Sequence, residues 1–245
     1  MSDIKNNLAQ LGERIAGAAQ RAGRDPEQVT LVAVTKTFPA DVVLAAYEAG
    51  VRHFGENRVG EGVGKITAIE PNISGELPTW HMIGHIQSRK ASRVVEYYDY
   101  VHSVDRLKIA RRLSRYAEEA ERTIPVLIEC NISGEASKYG FALEKWEQDE
   151  TVQRAFFAAV KEILALPALD VRGLMTMPPY VDDPEEVRPL FVSLRMLRNA
   201  LRERFPSLDW YHLSMGMTDD FEVAVEEGAT MVRIGRGIFG PRNPR

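Results

Sequence analysis

Thr30-Leu-Val-Ala-Val-Thr35, followed directly by Lys36, is the stretch that decides the fold of this chain. The run is apolar and β-branched, too short for a helix and long enough for a strand. Such unbroken apolar runs are typical of strands buried on both faces, as in parallel sheets covered by helices. The stretch therefore predicts an α/β protein with Lys36 at the exposed end of a buried strand.

Helix and strand patterns alternate on both sides of this stretch. Before it, Ile4, Leu8, Leu11 and Ile15 recur at helical spacing, and Gly23 ends that helix. After it, the apolar runs predict seven more strands, at 51–54, 79–83, 100–103, 125–131, 171–177, 211–214 and 230–234. The segments between predict helices at 39–49, 58–69, 86–96, after an Asp105 cap, at 147–165, after Asp183-Pro184, and at 219–227.

Regular strand–helix alternation implies parallel strands joined by right-handed crossovers. Eight such units in 245 residues favour a single (β/α)8 TIM-type barrel with an extra N-terminal helix, and we expect residues 1–245 to form one domain. A doubly wound open sheet is the rival fold, and the number of strands does not exclude it.

Composition narrows the class of function. The chain carries 31 basic and 35 acidic side chains, and this balance argues against a nucleic-acid-binding protein. The single cysteine, Cys130, lies in an apolar run and indicates a buried thiol in a reducing compartment. No secretory signal and no apolar stretch of membrane-spanning length is evident, so we expect a cytoplasmic protein with no membrane partner.

The position of Lys36 suggests chemistry. A strand end at the mouth of a barrel leaves an amine partly desolvated, which favours its neutral, nucleophilic form. The alternative is a lysine whose ammonium simply extends into water.

The loops after the last two strands suggest a phosphate site. Ser214-Met-Gly-Met-Thr218 and Arg233-Ile-Gly-Arg-Gly237 are rich in glycine, and barrels commonly bind phosphate with these two loops. Gly216, Gly235 and Gly237 would let the backbone approach an anion, although ordinary turn glycines explain them too. A lysine facing a phosphate site across a barrel mouth is the arrangement that pyridoxal 5′-phosphate (PLP) requires.

Several motifs together resemble one family. They are Leu31-Val-Ala-Val-Thr-Lys36, Phe54-Gly-Glu-Asn-Arg58, Trp80-His-Met-Ile-Gly84, His102-Ser-Val-Asp105, Arg172-Gly-Leu-Met175, Leu213-Ser-Met-Gly-Met-Thr-Asp219 and Val232-Arg-Ile-Gly-Arg-Gly-Ile-Phe-Gly240. In this order they resemble the PLP homeostasis protein family, which is similar in fold to the N-terminal barrel of alanine racemase.

The resemblance implies a PLP-binding site and the residues that form it. Lys36 would carry PLP as a Schiff base, Arg233 would face the pyridine nitrogen, and Asn57 would lie near the ring or its 3′-oxygen. Ser214, Thr218 and the amides around Gly235 and Arg236 would hold the phosphate. Gly216 belongs to the predicted site because it lets the backbone approach the anion. Many relatives have Ser at 218 and Thr-Ala at 236–237, so Thr218 keeps the hydroxyl and Arg236 adds a charge. We also expect His81 to face the cofactor.

Three functions remain open at this point. The leading hypothesis is a non-catalytic protein that buffers or delivers PLP, with PLP-dependent apoenzymes as recipients, and with a monomer as the expected state. An arginine at the pyridine nitrogen would weaken the ring as an electron sink. The last barrel motif ends at Gly240, and we expect no second domain that would supply a catalytic base. The alternatives are a weak PLP-dependent amino-acid racemase or transaminase-like enzyme, and a PLP-free Schiff-base aldolase that acts on a sugar phosphate. Glu56 is the one candidate for the proton relay of such an aldolase.

Four further features carry expectations. His81 and His85 flank a strand end, so no metal site is predicted. We interpret His85, Arg89, Lys90 and Arg93 as a solvated helical face, with an anion or partner site as the alternative. The segment 134–146 is either a flap over the mouth or a surface loop. The aromatics Trp146, Phe156 and Phe157 are predicted to pack in the core.

Overall fold

Eight parallel strands form a closed ring in the computed structural model, which describes residues 2–241. The strands of the chain are β1 Thr30–Val34, β2 His53–Glu56, β3 Thr79–Met82, β4 Tyr100–Val104, β5 Ile124–Asn131, β6 Phe141–Ala142, β7 Leu169–Met175, β8 His212–Ser214 and β9 Met231–Ile234. The two-residue β6 pairs only with β5, outside the ring.

Closure depends on the pairing of the first strand of the chain, β1, with the last, β9. β1 pairs with β2 on one side and with β9 on the other, and β4 pairs with β5. An open doubly wound sheet would leave two edge strands, whereas each of the eight ring strands has two hydrogen-bonded neighbours. The predicted (β/α)8 barrel is confirmed, and the rival fold is wrong.

Helices surround this ring. They are α1 Ser2–Arg21, α2 Ala40–Glu48, α3 Val59–Ile69, α4 Ala91–Tyr97, α5 Leu107–Glu119, α6 Glu150–Leu164, α7 Arg188–Arg204, α8 Phe221–Glu226 and α9 Arg236–Phe239. Because α9 is a single turn, the N-terminal helix α1 packs against both α8 and α9. Asn7 Nδ2 donates to the Ile238 carbonyl at 2.9 Å, which fixes the extra helix over the last strand–helix unit.

The two predicted helix caps have different outcomes. Asp183 Oδ1 accepts from the Glu185 amide at 3.0 Å, and Pro184 opens a 3₁₀ turn that leads into α7, as predicted. Asp105, in contrast, makes no capping bond to α5. Its carboxylate binds His85 at 2.7 Å and also Arg106, so the prediction that it caps the helix is wrong.

Aromatic side chains fill the space between the ring and its helices. Trp146 and Phe156 are buried, and Phe157 packs partly buried against the same core, which confirms the predicted packing roles. The Cys130 thiol is also buried, and burial raises its pKa well above its usual value, which keeps the thiol protonated. Across residues 2–241, none of the helices combines the length and the apolar character needed to cross a membrane.

Candidate functional site

A cavity opens at the carboxyl ends of the strands. Its empty volume, including space open to solvent, is about 540 Å³. It is lined by Val34, Lys36, Asn57, Ile83, Met177, Tyr180, Met217, Thr218, Asp219, Arg233, Gly235 and Arg236. Six of the nine predicted site residues are in this set, so the loops after β1, β2, β8 and β9 converge as expected.

The other three predicted residues, His81, Ser214 and Gly216, do not line the cavity. Ser214 and His81 lie deeper in the barrel and are buried. Gly216 has a φ of 93°, and a Cβ there would lie 2.6 Å from the Ala224 Cβ. Its carbonyl accepts from the Arg233 amide at 3.0 Å, so the glycine lets this loop pack closely on α8 and β9.

Arg233 forms the floor of the cavity. Its guanidinium is buried and donates from Nη1 to Ser214 Oγ at 2.6 Å and from Nη2 to the Thr176 carbonyl at 2.7 Å. Burial lowers the pKa of Arg233 to about 10, with Asp220 and Glu129 opposing that shift. The guanidinium is therefore a fixed cation at neutral pH, held in place before any ligand arrives.

A chain of hydrogen-bonded histidines supports Arg233 from below. His102 Nδ1 lies 2.8 Å from Ser214 Oγ, His81 Nδ1 lies 2.9 Å from His102 Nε2, and His53 Nδ1 lies 3.0 Å from His81 Nε2. Burial lowers the pKa of all three imidazoles, and of His81 and His102 furthest. We call these residues the histidine chain; they run as neutral rings from Ser214 to the start of β2.

Lys36 sits in a loop that a buried ion-pair cluster fixes. Lys65 Nζ donates to the Thr35 carbonyl at 2.6 Å, to Glu56 Oε1 at 2.6 Å and to Glu61 Oε1 at 2.9 Å. The Thr35 hydroxyl donates to the same Glu56 oxygen at 2.5 Å. The residues on either side of Lys36 are thus tied to this cluster, which we call the Lys65 cluster.

A hydrogen bond from Thr37 to Glu61 fixes the other side of the Lys36 loop. The φ of Thr37 is 71°, a left-handed conformation that is strained for a β-branched residue, and its amide donates to Glu61 Oε1 at 2.5 Å. Burial raises the pKa of Glu61, but the hydrogen bonds from Lys65 and Thr37 outweigh burial and lower it overall. An ionised Glu61 therefore holds the turn that presents Lys36 to the cavity.

Sequence reasoning did not find the Lys65 cluster. The sequence suggests Glu56 only as an aldolase proton relay, and neither Glu61 nor Lys65 is among the predicted site residues. Yet Lys65 is 6% exposed, and Glu56 is fully buried. The one available signal was the lysine on the apolar face of α3, opposite the strand that carries Lys36.

Thr218 and Arg236 lie in the loops after β8 and β9 and both line the cavity. Thr218 Oγ1 accepts from the Gly237 amide at 3.4 Å, and the Arg236 guanidinium is paired with the Asp219 carboxylate. The charge that Arg236 adds is therefore partly offset by Asp219. Among residues 2–241, Asn57 Oδ1 is buried without a hydrogen-bond partner, which leaves a polar atom at the cavity wall for a ligand.

No group of three or more His, Cys, Asp or Glu side chains in the described part of the chain is arranged to hold a metal ion. His85 binds Asp105 and stacks on Tyr139 with ring centroids 3.8 Å apart, so it is not part of a purely solvated face. The segment 134–146 is anchored by β6 and by Asn131, whose Nδ2 donates to the Glu135 carbonyl at 3.0 Å.

The chain is similar in sequence to known proteins over nearly its whole length. The model of the alanine racemase N-terminal domain family matches residues 6–243. The pyridoxal phosphate homeostasis protein of Escherichia coli K12 is 45% identical over 248 aligned residues, covering 99% of this chain and 98% of that protein. The chain belongs to the pyridoxal phosphate homeostasis protein family. The resemblance read from the motifs is thereby confirmed.

Two solved structures show the same barrel fold. PipY of Synechococcus elongatus PCC7942, solved with PLP bound, is 34% identical with a TM-score of 0.79, covering 97% of this chain and 100% of PipY. Alanine racemase of Clostridium difficile 630 is 16% identical with a TM-score of 0.70, covering all of this chain and 61% of the racemase. The likeness to the racemase shows a shared barrel fold alone.

Proposed function

We propose that this chain binds PLP in the cavity at the strand ends and holds it as a Schiff base on Lys36. The observation that carries the proposal is that Lys36, Arg233 and the Thr218 and Gly235–Arg236 loops line one cavity. The PLP-bound structure of PipY, a family member, supports the choice of ligand. The residues present fit PLP because they combine an amine, a buried cation, an unpartnered amide oxygen and a hydroxyl.

Each polar group has a proposed task. Thr218, Gly235 and Arg236 would hold the phosphate, and Arg233 would donate to the pyridine nitrogen. Asn57 would contact the ring substituents. We assign Ser214 and His81 a supporting task, since the Ser214 hydroxyl accepts from Arg233 and His81 braces the histidine that contacts Ser214. Gly216 gives the backbone room to turn.

When bound, PLP supplies an aldehyde that an amine can capture and a conjugated ring that can accept electrons. This chain supplies Lys36, in a loop that the Lys65 cluster fixes, and the Arg233 guanidinium, which would donate a hydrogen bond to the ring nitrogen and so disfavour its protonation. Arg233 keeps its charge and only donates, so the ring would stay unprotonated and would be a weak electron sink.

We infer that the protein does not catalyse amino-acid reactions. The titratable side chains that line the cavity are Lys36, Tyr180, Asp219, Arg233 and Arg236. Asp219 is paired with Arg236, and Tyr180 is 78% exposed, so neither is a buried, positioned acid or base. The names of the relatives, PLP homeostasis proteins, agree with a carrier.

The open cavity bears on how the protein would release PLP in the cell. An open cavity leaves the Lys36 linkage in contact with water, and hydrolysis would return free PLP. We propose that the protein buffers PLP in the cytoplasm as a monomer and delivers it to PLP-dependent apoenzymes.

Borohydride reduction followed by peptide mass analysis tests the Schiff base. We expect the reduced pyridoxyl group on the peptide that contains Lys36, and its loss from that peptide in Lys36→Ala. Lys161→Ala removes an exposed lysine of α6 and serves as control. The same preparation is assayed with alanine, and robust racemisation that disappears in Lys36→Ala would refute the non-catalytic proposal in favour of the racemase.

A further inference from the structure

A second polar cleft lies at the opposite end of the barrel. Gln28, Tyr211 and Thr230 belong to its lining, and they precede β1, β8 and β9. Because parallel strands start at one end of the barrel and finish at the other, this cleft and the Lys36 cavity face opposite directions. Four arginines line it, namely Arg24, Arg195, Arg198 and Arg202, and we call it the arginine cleft.

Three of the four arginines lie on one face of α7, and the fourth belongs to another segment. Arg195, Arg198 and Arg202 stand at positions i, i+3 and i+7 of α7, so they share a face over about 10 Å of helix axis. Arg24 comes from the turn between α1 and β1. The cleft has an empty volume of about 680 Å³, including its open side.

Three of the guanidiniums are each held by one neighbouring residue. Arg24 Nη1 donates to the Val225 carbonyl at 2.6 Å, and Arg195 Nη2 lies 3.0 Å from Glu227 Oε2. Arg202 Nε donates to the Asp209 carbonyl at 2.7 Å, with Asp209 Oδ1 at 3.5 Å from Nη2. Because a guanidinium has five N–H donors, each of these three keeps donors available for a ligand.

Arg198 has no carboxylate within salt-bridge distance among residues 2–241. Its recorded contacts are to Asn199 Oδ1, at 3.2 and 3.3 Å. The side chain is partly buried, and burial together with Arg202, Arg195 and Arg24 lowers its pKa to about 10. A partly buried cation surrounded by like charges is costly unless an anion joins it.

The acidic side chain in the lining does not neutralise the cleft. Glu226 Oε1 lies 2.7 Å from Arg21 Nε, and its Oε2 lies 2.6 Å from Arg188 Nη2. Two other arginines thus already share this carboxylate. In a chain of net charge −4, the arginine cleft is a local concentration of positive charge.

We propose that the arginine cleft binds an oligophosphate anion, with Arg198 at the centre of the site. Guanidiniums spread over about 10 Å match a chain of linked phosphates better than one phosphate group, and their forked donors suit phosphate oxygens. The anion has two sources, a free inorganic oligophosphate or the phosphate chain of a nucleotide. Tyr211, which is 38% exposed, lies in the same lining and offers a ring face to a base.

The test is calorimetric titration of the full chain with tripolyphosphate and, separately, with ATP, at low ionic strength and without divalent cations. We expect saturable 1:1 binding that Arg198→Gln weakens by about tenfold or more, the loss of a charge-assisted contact. Arg198→Lys keeps the charge, and its affinity should lie between those of the unmodified chain and Arg198→Gln. Arg93→Gln removes an exposed arginine of α4 and should bind like the unmodified chain.

The result distinguishes the sources and the sites. Tighter binding of ATP than of tripolyphosphate indicates a nucleotide, and equal binding indicates the phosphate chain alone. Prior saturation with PLP, followed by removal of the excess, should leave the affinity unchanged because the two sites lie at opposite ends. Absence of saturable binding, or equal affinity of folded Arg198→Gln and Arg93→Gln, would overturn the proposal. Melting curves of both variants verify that they are folded.

Discussion

At the scale of single residues, two buried charges control the candidate site. Lys65 bridges Glu56 and Glu61, and this cluster holds Thr35 and Thr37 on the two sides of Lys36. Arg233 is the second, and it holds its position through Ser214 and Thr176. Both charges are paired or hydrogen-bonded, as burial of a charge requires.

Removing the Glu61 carboxylate should loosen the lysine loop. Glu61→Ala leaves the Thr37 amide without its acceptor, so the left-handed Thr37 conformation loses its support. We expect a folded protein that releases PLP faster than the unmodified chain and is less stable by about 1–3 kcal/mol. PLP release, followed by absorbance, measures the first effect. Glu48→Ala, at an exposed glutamate of α2, is the control, and equal release rates for the two variants would contradict the role of Glu61.

Glu129 should make stability depend on pH. Burial, together with Asp105, raises its pKa to about 8, and its Oε2 atom has no partner among residues 2–241. Between the unfolded value near 4.5 and the folded value, the native state keeps a proton that the unfolded chain has lost. Stability contributed by this group is therefore greatest below that window and declines as pH rises through it.

Glu129→Gln removes this penalty. We expect the variant to gain stability relative to the unmodified chain by a few kcal/mol at most at pH 8.5, and much less at pH 5. Urea unfolding at the two pH values measures the difference, with the exposed Glu119→Gln as control. A gain of the same size at both pH values would show that Glu129 is not the titrating group.

At the scale of elements, close contact between strand ends shapes the cavity. A Cβ on Gly84, just after β3, would lie 2.2 Å from the Asn57 carbonyl oxygen, in the loop after β2. The two loops can therefore touch only because residue 84 has no side chain, and this contact sets the position of Asn57 in the cavity wall.

Gly84→Ala should separate these loops. The overlap is with backbone, which cannot rotate away, so we expect a loss of about 2 kcal/mol or more and weaker PLP binding. Gly64→Ala is the matched control, because a Cβ there meets nothing within 4 Å and alanine favours the helix α3. Thermal unfolding and PLP titration measure both variants, and a Gly84→Ala protein that behaves like Gly64→Ala would disprove the packing argument.

The elements themselves were largely predictable. Apolar runs located each of the eight ring strands, and helical spacing located the helices, because these patterns depend on local periodicity. Helix starts were harder: Asp183 caps as its sequence suggested, whereas Asp105 is used by His85 and Arg106. A polar residue before a helix has several available partners, and only the packed structure shows which of them it takes.

At the scale of the whole molecule, the histidine chain crosses the barrel interior. It runs from His53 at the start of β2 to Ser214 at the end of β8, and it reaches Arg233. Neutral buried imidazoles give the fold a dependence on pH that is opposite in sign to that of Glu129, because the unfolded chain takes up protons that the native state refuses.

We therefore expect acid to destabilise the protein. Burial lowers the folded pKa values of His81 and His102, so their contribution to stability is present above the unfolded value near 6.5 and is lost as pH falls below it. Each proton taken up on unfolding contributes a slope of about 1.4 kcal/mol per pH unit. Glu129 releases a proton on unfolding in the same pH range, so it offsets the contribution of one histidine. The free energy of unfolding between pH 7 and pH 5 measures the slope. His102→Asn should reduce this slope by up to about 1.4 kcal/mol per pH unit, the contribution of one proton. An unchanged slope in that variant would exclude His102 as a source of the pH dependence.

The sequence by itself determined the alternation of strands and helices, the lysine at the end of the first buried strand, and the two glycine-rich loops, because each of these is written in neighbouring residues. Only the tertiary structure decided the closure of the ring through β1–β9, the Lys65 cluster, the histidine chain and the arginine cleft. The physical reason is separation along the chain: His102 and Ser214 are 112 positions apart yet share a hydrogen bond, and no local pattern specifies which distant partner a buried polar group will meet.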